Sequence, residues 1–337
     1  MPDPADFDIA LVRADNPGPF TLSGTEVRVK GSLGVATNSA GDESSEDLLR
    51  NADVAMYTAK SGGKDRFASF EPTMHVEMVQ RHSLKEELEA AVERDEFVVE
   101  YQPITRLATG ETVALEALVR WQHPERGRIT PAEFIPLAEE TGLIVPIGRI
   151  VLAKACGLAR DWSDAHPDRA PINMHVNASA AELQEADLLE HVAGAIEAAG
   201  INPCQLVIEI TESLLISDAP VSLARLDELR RAGVRLALDD FGTGYSSLSY
   251  LRWLPLDIVK MDKSFVGWAG HGGRGAAFAR TIAELAHTLG LDVVAEGIET
   301  EEQLAAMREL GCEMGQGYWF APPSEPKLGQ GMLVRAA

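Results

Sequence analysis

Acidic side chains recur at one end of successive apolar segments in the larger, C-terminal part of this sequence. Each segment is rich in Val, Ile and Leu, so a charge inside it needs a partner or a chemical task. The polar residues in these positions are Glu116, Asn177, Glu209, Glu212, Asp239, Asp240, Lys260, Glu296 and Glu299. If the segments are parallel strands, their carboxyl ends meet on one face, and carboxylates from at least four strands share a small volume.

So many carboxylates cannot all ionise together unless cations neutralise them, and the single Lys260 is insufficient. The pattern includes neither Cys nor His, which favours a hard divalent cation, Mg²⁺ or Mn²⁺, bound by oxygen atoms. The adjacent pair Asp239-Asp240 could serve two ions, an arrangement suited to activating water in phosphodiester cleavage. Taken alone, each residue is more simply explained as a helix cap, turn residue or ion-pair partner. Their recurrence on successive strands is what indicates a metal site.

The elements that would position these residues alternate regularly. Eight strand-like segments, separated mostly by amphipathic helices, lie between Phe97 and Tyr318. Such alternation predicts parallel βαβ units, and eight strands suit a closed barrel better than an open sheet. The first two strands, Phe97–Ile104 and Val113–Arg120, are joined by only a short segment, so they should pair antiparallel. We therefore predict an α/β protein with a (β/α)8 TIM-like barrel and an antiparallel first strand.

Composition excludes some functions. The 337 residues are 45% hydrophobic and carry a formal charge of −22, which argues against binding a nucleic-acid polymer, because such proteins present a basic surface. The three cysteines are isolated and odd in number, which favours a reducing cytoplasm and no disulfide framework. Neither a signal peptide nor a membrane-spanning apolar run is recognisable. His175 and His287 are interpreted as packing or surface groups.

The C-terminal segments, in their order, resemble the EAL family of cyclic di-GMP phosphodiesterases. The matching motifs are Tyr101-Gln102-Pro103, Glu116-Ala117-Leu118, Glu209-Ile210-Thr211-Glu212, Asp239–Gly244, Asp257–Asp262, Ala295–Thr300 and Gln316-Gly317-Tyr318. The resemblance implies hydrolysis of cyclic di-GMP to linear pGpG with two Mg²⁺ or Mn²⁺ ions per active site. One alternative is a receptor that binds cyclic di-GMP or a partner protein without turnover, although such receptors usually lose metal carboxylates that are kept here. Another is a different metal-dependent barrel enzyme, which would not explain the motif order.

The resemblance also implies individual roles. The implied metal ligands are Glu116, Asn177, Glu209 and Asp239 for one ion, with Asp239 and Asp240 sharing the second. Lys260 would contact a metal-held water or the scissile phosphate, and Glu296 would be a general base or further ligand. Glu212 would hold the Asp239–Gly244 loop, and Arg120 would clamp a substrate phosphate. The implied substrate-binding residues are Gln102, Leu118, Arg120, Glu299 and Gln316. Relatives often dimerise, which makes 239–251 a candidate homodimer interface.

The N-terminal part resembles the last third of a GGDEF domain, through Gly31–Ala36, Leu48–Lys60 and Gly63–Phe70. The chain contains no Gly-Gly-Asp-Glu-Phe motif, so no cyclase activity is predicted. The expected organisation is a truncated, incomplete α+β GGDEF-like segment at 1–73, a connecting helix at 74–91 that enters the barrel, and an EAL phosphodiesterase domain at 82–330.

Overall fold

The computed structural model describes residues 20–22, 25–27, 31–37, 44–61, 66–212, 219–242, 254–269 and 273–326. The chain divides into two compact units, Met1–Glu87 and Leu88–Ala337. The strand predicted at Asp8–Val12 and the helix predicted at Ser247–Trp253 lie outside the described residues.

The N-terminal unit contains two small strand pairs and one amphipathic helix. Strands β1 (Phe20–Leu22) and β2 (Thr25–Val27) pair antiparallel. Strands β3 (Leu33–Val35) and β4 (Phe67–Ser69) pair parallel, and helix α1 (Ser45–Ser61) lies between them in the chain. A parallel pair needs such a crossover. Gly34 lies directly against α1, because a Cβ there would meet backbone atoms of Ala52 and Met56.

The barrel unit follows helix α2 (Pro72–Glu93), which begins at a proline, as the first turn of a helix permits. Its strands in chain order are β5 (Phe97–Arg106), β6 (Thr112–His123), β7 (Gly127–Ile129), β8 (Asn173–Asn177), β9 (Leu206–Thr211), β10 (Arg235–Phe241), β11 (Ile258–Met261), β12 (Asp292–Ala295) and β13 (Met314–Gly315). Strand β5 pairs antiparallel with both β6 and β13, and this closes the ring. Strands β6 and β8 to β13 are parallel to one another. The predicted barrel with an antiparallel first strand is thus confirmed.

Helices surround this ring. They are α3 (Pro131–Thr141), α4 (Ile144–Ala165), α5 (Ala180–Gln184), α6 (Leu188–Ala199), α7 (Ala219–Arg231), α8 (Lys263–Ala269), α9 (Gly273–Thr288) and α10 (Glu301–Glu309). Capping boxes at Thr130, Ser179 and Thr300 fix where three of them begin. Among the described helices, none is both long and apolar enough to cross a lipid bilayer.

The barrel interior is built in layers, and the layers explain where the polar residues lie. The apolar layer consists of Ile104, Ala114, Val207, Ala237, Ile258, Val294 and Met314. Side chains alternate across a strand, so the residue two positions further on faces the same interior. Two positions beyond this layer stand Glu116, Glu209, Asp239, Lys260, Glu296 and Gln316, with Gln102 on the antiparallel strand. The apolar floor therefore supports a polar layer nearer the carboxyl ends of the parallel strands.

Candidate active site

Lys260 lies at the centre of the polar layer and is 1% exposed. Its Nζ is 2.7 Å from Glu296 Oε1, 2.8 Å from Glu209 Oε2, 3.3 Å from Asp239 Oδ1 and 3.6 Å from Glu116 Oε2. These carboxylates belong to strands β6, β9 and β10 and to the end of β12. The structure thus brings together residues that are 180 positions apart in the sequence.

Glu116 is held by two side-chain amides as well as by Lys260. Asn177 Nδ2 donates to Glu116 Oε1 at 3.0 Å, and Gln316 Nε2 donates to Glu116 Oε2 at 2.6 Å. Gln316 Nε2 also donates to Gln102 Oε1 at 2.8 Å, and Gln102 Nε2 donates to the carbonyl of Ala321. Buried Gln316 Oε1 accepts no hydrogen bond within the described residues. The predicted residues Gln102, Asn177 and Gln316 therefore line the same space as the acidic cluster.

Asp239 and Asp240 extend the cluster toward solvent, with Asp239 half-buried and Asp240 exposed. Asp240 has a positive φ of 54°, and its backbone N–H donates to Asp239 Oδ1 at 3.0 Å. Aspartate tolerates this left-handed conformation better than most residues, although some strain remains. Oxygen atoms of Asp239, Asp240 and Glu296 lie within 4.8 Å of one another. We call Glu116, Glu209, Asp239, Asp240 and Glu296 the carboxylate cluster.

Burial and mutual repulsion set the protonation of this cluster. Burial raises the pKa of Glu209 well above its usual value, with Glu116 and Asp239 adding repulsion. Burial likewise raises the pKa of Glu296 to about 8. The pKa of Glu116 falls in spite of burial, because Lys260 and two amide donors favour its charged form. Burial works against the ammonium of Lys260, but the surrounding carboxylates outweigh it and hold its pKa well above the usual value. Lys260 therefore stays charged.

His175 contacts the cluster, a contact that its interpretation from sequence as a packing or surface group did not include. It is fully buried on β8, and a hydrogen bond of 2.7 Å joins His175 Nδ1 and Glu209 Oε1. Burial, together with the charge of Lys260, lowers the pKa of His175 to about 3, so the ring is neutral. Its position two residues before Asn177, on the same face of β8, is equally compatible with packing in the core, so no local pattern distinguished it. His175 fixes the orientation of the Glu209 carboxylate.

The remaining predicted residues lie farther out. Leu118 and Arg120 follow Glu116 on the same face of β6, and Arg120 Nε donates to Glu100 Oε2 at 2.7 Å. Glu299 is exposed, and its backbone N–H donates to Gln303. Glu212 directly follows β9, but the last two residues of the Asp239–Gly244 loop it is predicted to hold, and most of the dimer region at 239–251, lie outside the described residues. The hydrogen bond of Glu299 thus ties it to the start of α10.

The chemistry of these residues fits divalent cations. The five carboxylates and the amide of Asn177 offer oxygen atoms to a cation, and no thiol lies among them. Within the described part of the chain, Lys260 is the only lysine or arginine paired with Glu116, Glu209, Asp239 or Glu296. The raised pKa values of Glu209 and Glu296 show that this one positive charge does not suffice to keep all the carboxylates ionised. Hard cations such as Mg²⁺ or Mn²⁺ match such a ligand set.

In closed (β/α)8 barrels the loops at the carboxyl ends of the strands build the active site, and the carboxylate cluster lies at that end of this barrel. The chain belongs to the EAL domain family, whose model matches residues 85–323. The model described as "Diguanylate cyclase, GGDEF domain" matches residues 9–66. The resemblance to both families is thus confirmed.

Similar proteins include two from Pseudomonas aeruginosa. The bifunctional diguanylate cyclase/cyclic di-GMP phosphodiesterase MucR is 41% identical over 305 residues, which cover 90% of this chain and 44% of MucR. The cyclic di-GMP phosphodiesterase NbdA is 41% identical over 305 residues, which cover 90% of this chain and 39% of NbdA. The solved structure of the PaMucR phosphodiesterase in complex with c-di-GMP is 42% identical, with a TM-score of 0.67, and covers 72% of this chain and 97% of that one. The chain thus spans less than half the length of these two curated relatives.

Proposed function

We propose that this protein hydrolyses cyclic di-GMP to linear pGpG with the help of Mg²⁺ or Mn²⁺. The observation that carries the proposal is the convergence of Glu116, Glu209, Asp239 and Glu296 on Lys260 in one buried layer. The EAL relatives named as cyclic di-GMP phosphodiesterases, and the PaMucR complex with c-di-GMP, support the choice of substrate.

The residues that would hold one ion are Glu116, Asn177, Glu209 and Asp239, and those that would hold a second are Asp239 and Asp240. The closeness of Asp239, Asp240 and Glu296 oxygens supports Glu296 as a further ligand. When bound, such cations neutralise the carboxylates, lower the pKa of water and take up charge on the phosphate oxygens.

The protein side chains would do the rest of the chemistry. Lys260 keeps its proton, so it would bind the scissile phosphate electrostatically and would not act as a base. Glu296, at the edge of the cluster, is the candidate acceptor for the proton of the attacking water. Gln102 on β5 and Gln316 directly after β13 would bind the substrate where these two strands close the barrel. Arg120 would bind a phosphate through its planar guanidinium.

The test is incubation of the purified protein with cyclic di-GMP and Mn²⁺ or Mg²⁺, followed by chromatographic detection of pGpG. We expect product with either metal and none with excess EDTA. Glu116→Gln should lower turnover more than about 100-fold, since even the outer partners of metal ligands contribute 10- to 100-fold. Glu197→Gln, which changes an exposed carboxylate on α6, is the matched control and should behave as wild type. Binding of cyclic di-GMP without pGpG would instead indicate a receptor.

A further inference from the structure

A three-residue ion-pair group stands above the carboxylate cluster on the same interior face of the barrel. Glu100 Oε2 accepts from Arg120 Nε at 2.7 Å, and Glu100 Oε1 accepts from Arg128 Nη1 at 2.5 Å. Glu100 is buried on β5, Arg120 belongs to β6, and Arg128 belongs to the short hairpin strand β7. One carboxylate thus fixes two guanidiniums from different strands.

Strand register places this group at the rim. Gln102 pairs with Glu116, Glu100 with Leu118, and Val98 with Arg120, so each step outward along the strands moves away from the cluster. Two residues of a strand span about 7 Å. Arg128 pairs with Gln122, two positions beyond Arg120 on the same face of β6. The two arginines therefore stand side by side beyond the polar layer, on the wall that continues from Glu116.

Charge and exposure make this group suited to an anion. Two guanidiniums share the buried Glu100 carboxylate, and the only other acidic partner among the described residues, Glu325, is 72% exposed and reaches Arg128 only at 4.0 Å, so solvent screens it. The side chain of Glu100 is 8% exposed, that of Arg120 15% and that of Arg128 44%. Arg120 uses Nε on Glu100 and Nη1 on the Val119 carbonyl, and Arg128 Nη2 approaches Glu325 only at 4.0 Å. Both guanidiniums thus retain donors for a phosphate.

We propose that Arg128 is a specificity-determining residue that binds, beside Arg120, the phosphate of cyclic di-GMP that is not being cleaved, and that Glu100 is the positioning residue that holds both guanidiniums. This inference rests on the proposed function. Cyclic di-GMP carries two phosphates, and only one can lie at Lys260 and the metal ligands. The other phosphate must therefore lie outside the acidic cluster, where the guanidinium groups of Arg120 and Arg128 can bind it.

The test compares two substrates in steady-state kinetics. Bis(p-nitrophenyl) phosphate contains a single phosphodiester and has no second phosphate for the rim. For Arg128→Gln we expect KM for cyclic di-GMP to rise roughly tenfold, the loss of a charge-assisted hydrogen bond at a partly exposed site, with kcat unchanged. Hydrolysis of the single phosphodiester should not change. Arg128→Lys should keep part of the affinity that Arg128→Gln loses, because it retains the positive charge but lacks the paired N–H donors of a guanidinium.

Glu100→Gln should raise KM for cyclic di-GMP in the same direction, since the two arginines lose their common anchor. Arg160→Gln is the matched control, because Arg160 is half exposed and pairs with Asp164 at 2.8 Å on helix α4. A purely structural role for Arg128 would lower the rates on both substrates together, and that result would overturn the proposal. So would an unchanged KM for cyclic di-GMP in Arg128→Gln.

Failure of the proposed function can be distinguished from failure of the Arg128 proposal by measuring binding instead of turnover. If the wild type hydrolyses neither substrate, cyclic di-GMP binding is measured by calorimetry on wild type and Arg128→Gln. Roughly tenfold weaker binding by the variant would support the binding of the second phosphate by Arg128, even in a protein that does not hydrolyse cyclic di-GMP. Equal affinities, or an absence of binding to the wild type, overturn it.

Discussion

Lys260 forms ion pairs with more carboxylates than any other described lysine or arginine, because four carboxylates lie within 4 Å of its Nζ. Lys260→Met would keep the volume of the buried chain and remove its charge. We expect the metal-free protein to lose about 3–5 kcal/mol of unfolding free energy, as when one partner of a buried ion pair is removed. Added Mg²⁺ or Mn²⁺ should restore part of this loss. Denaturant unfolding with and without metal measures both effects.

Lys154→Met is the control for that substitution. Lys154 pairs with exposed Asp95 and donates to the carbonyl of Phe97, each at 2.8 Å, and such a surface pair and one hydrogen bond together contribute about 1–2 kcal/mol. Equal stability losses in the two variants would contradict the central place of Lys260.

Metal affinity should depend on pH through Glu296. Its pKa of about 8 in the metal-free protein means that a cation using this carboxylate must displace a proton near neutral pH. Affinity should therefore rise with pH through the neutral range, with up to tenfold change per unit for each displaced proton, and the raised pKa of the proposed ligand Glu209 acts in the same direction. Calorimetric titration of Mn²⁺ at pH 7, in two buffers of different ionisation enthalpy, measures the protons released. If no protons are released, the cation does not displace a proton from Glu296.

Glu116, Asn177, Glu209, Asp239, Lys260 and Glu296 could be predicted because each lies in or just after an apolar strand. Gln102, Arg120 and Gln316 were implied only by the family resemblance. His175 could not, because a single histidine in a strand is compatible with simple packing, and only the 2.7 Å contact with Glu209 distinguishes the two. Glu100 was missed for the same reason: its partners Arg120 and Arg128 are 20 and 28 positions away. Long-range side-chain contacts of this kind leave no local pattern.

At the scale of elements, the loop after β12 is constrained by a glycine. Gly297 has φ of 68°, and an added Cβ would collide with the Lys263 side chain and approach its Cα to 3.3 Å at the start of α8. Gly297→Ala should cost about 1–3 kcal/mol or more, from backbone strain and overpacking together. It should also lower cyclic di-GMP turnover by displacing the neighbouring Glu296. Thermal unfolding and the pGpG assay report the two effects.

Gly290→Ala separates strain from collision. Gly290 has a similar φ of 75°, but open space surrounds the position of its missing Cβ. This variant should lose less stability than Gly297→Ala and should keep its turnover. If both glycine variants behave alike, the contact with Lys263 is unimportant.

Apolar runs that alternate with helices could be predicted from the sequence, and even β13, which has two residues, lies within the predicted strand Met314–Tyr318. The eight barrel strands and the antiparallel start of the ring follow from alternation and from the short link between β5 and β6. Strand β7 and helices α5 and α8 have three, five and seven residues, too few to show a period. Their existence depends on tertiary contacts, such as the pairing of β7 with the end of β6.

At the scale of the whole molecule, the chain consists of two compact units. Gly34→Ala would place a Cβ against the backbone of α1 at Ala52 and Met56, so we expect the N-terminal unit to lose about 1–3 kcal/mol. Hydrolysis of cyclic di-GMP should stay close to wild type, because every proposed ligand lies in the barrel unit. Limited proteolysis and the pGpG assay follow the two units separately.

Gly31→Ala is the control, because nothing lies within 4 Å of its added Cβ. A drop in turnover that is confined to Gly34→Ala would show that the N-terminal unit influences the barrel.

Closure of the ring through β5 has a consequence for synthesis of the protein. Strand β5 is the first barrel strand to leave the ribosome, yet its partner β13 is the last, and Tyr101 bridges to Ser324 still later. Until then, the nascent chain keeps an open strand edge, the kind of surface that invites association between chains. The hydrogen bond from Gln316 to Gln102 also joins the β5 side of the barrel to the β13 side. The polar layer around Lys260 therefore cannot close until the chain has been synthesised as far as Gln316.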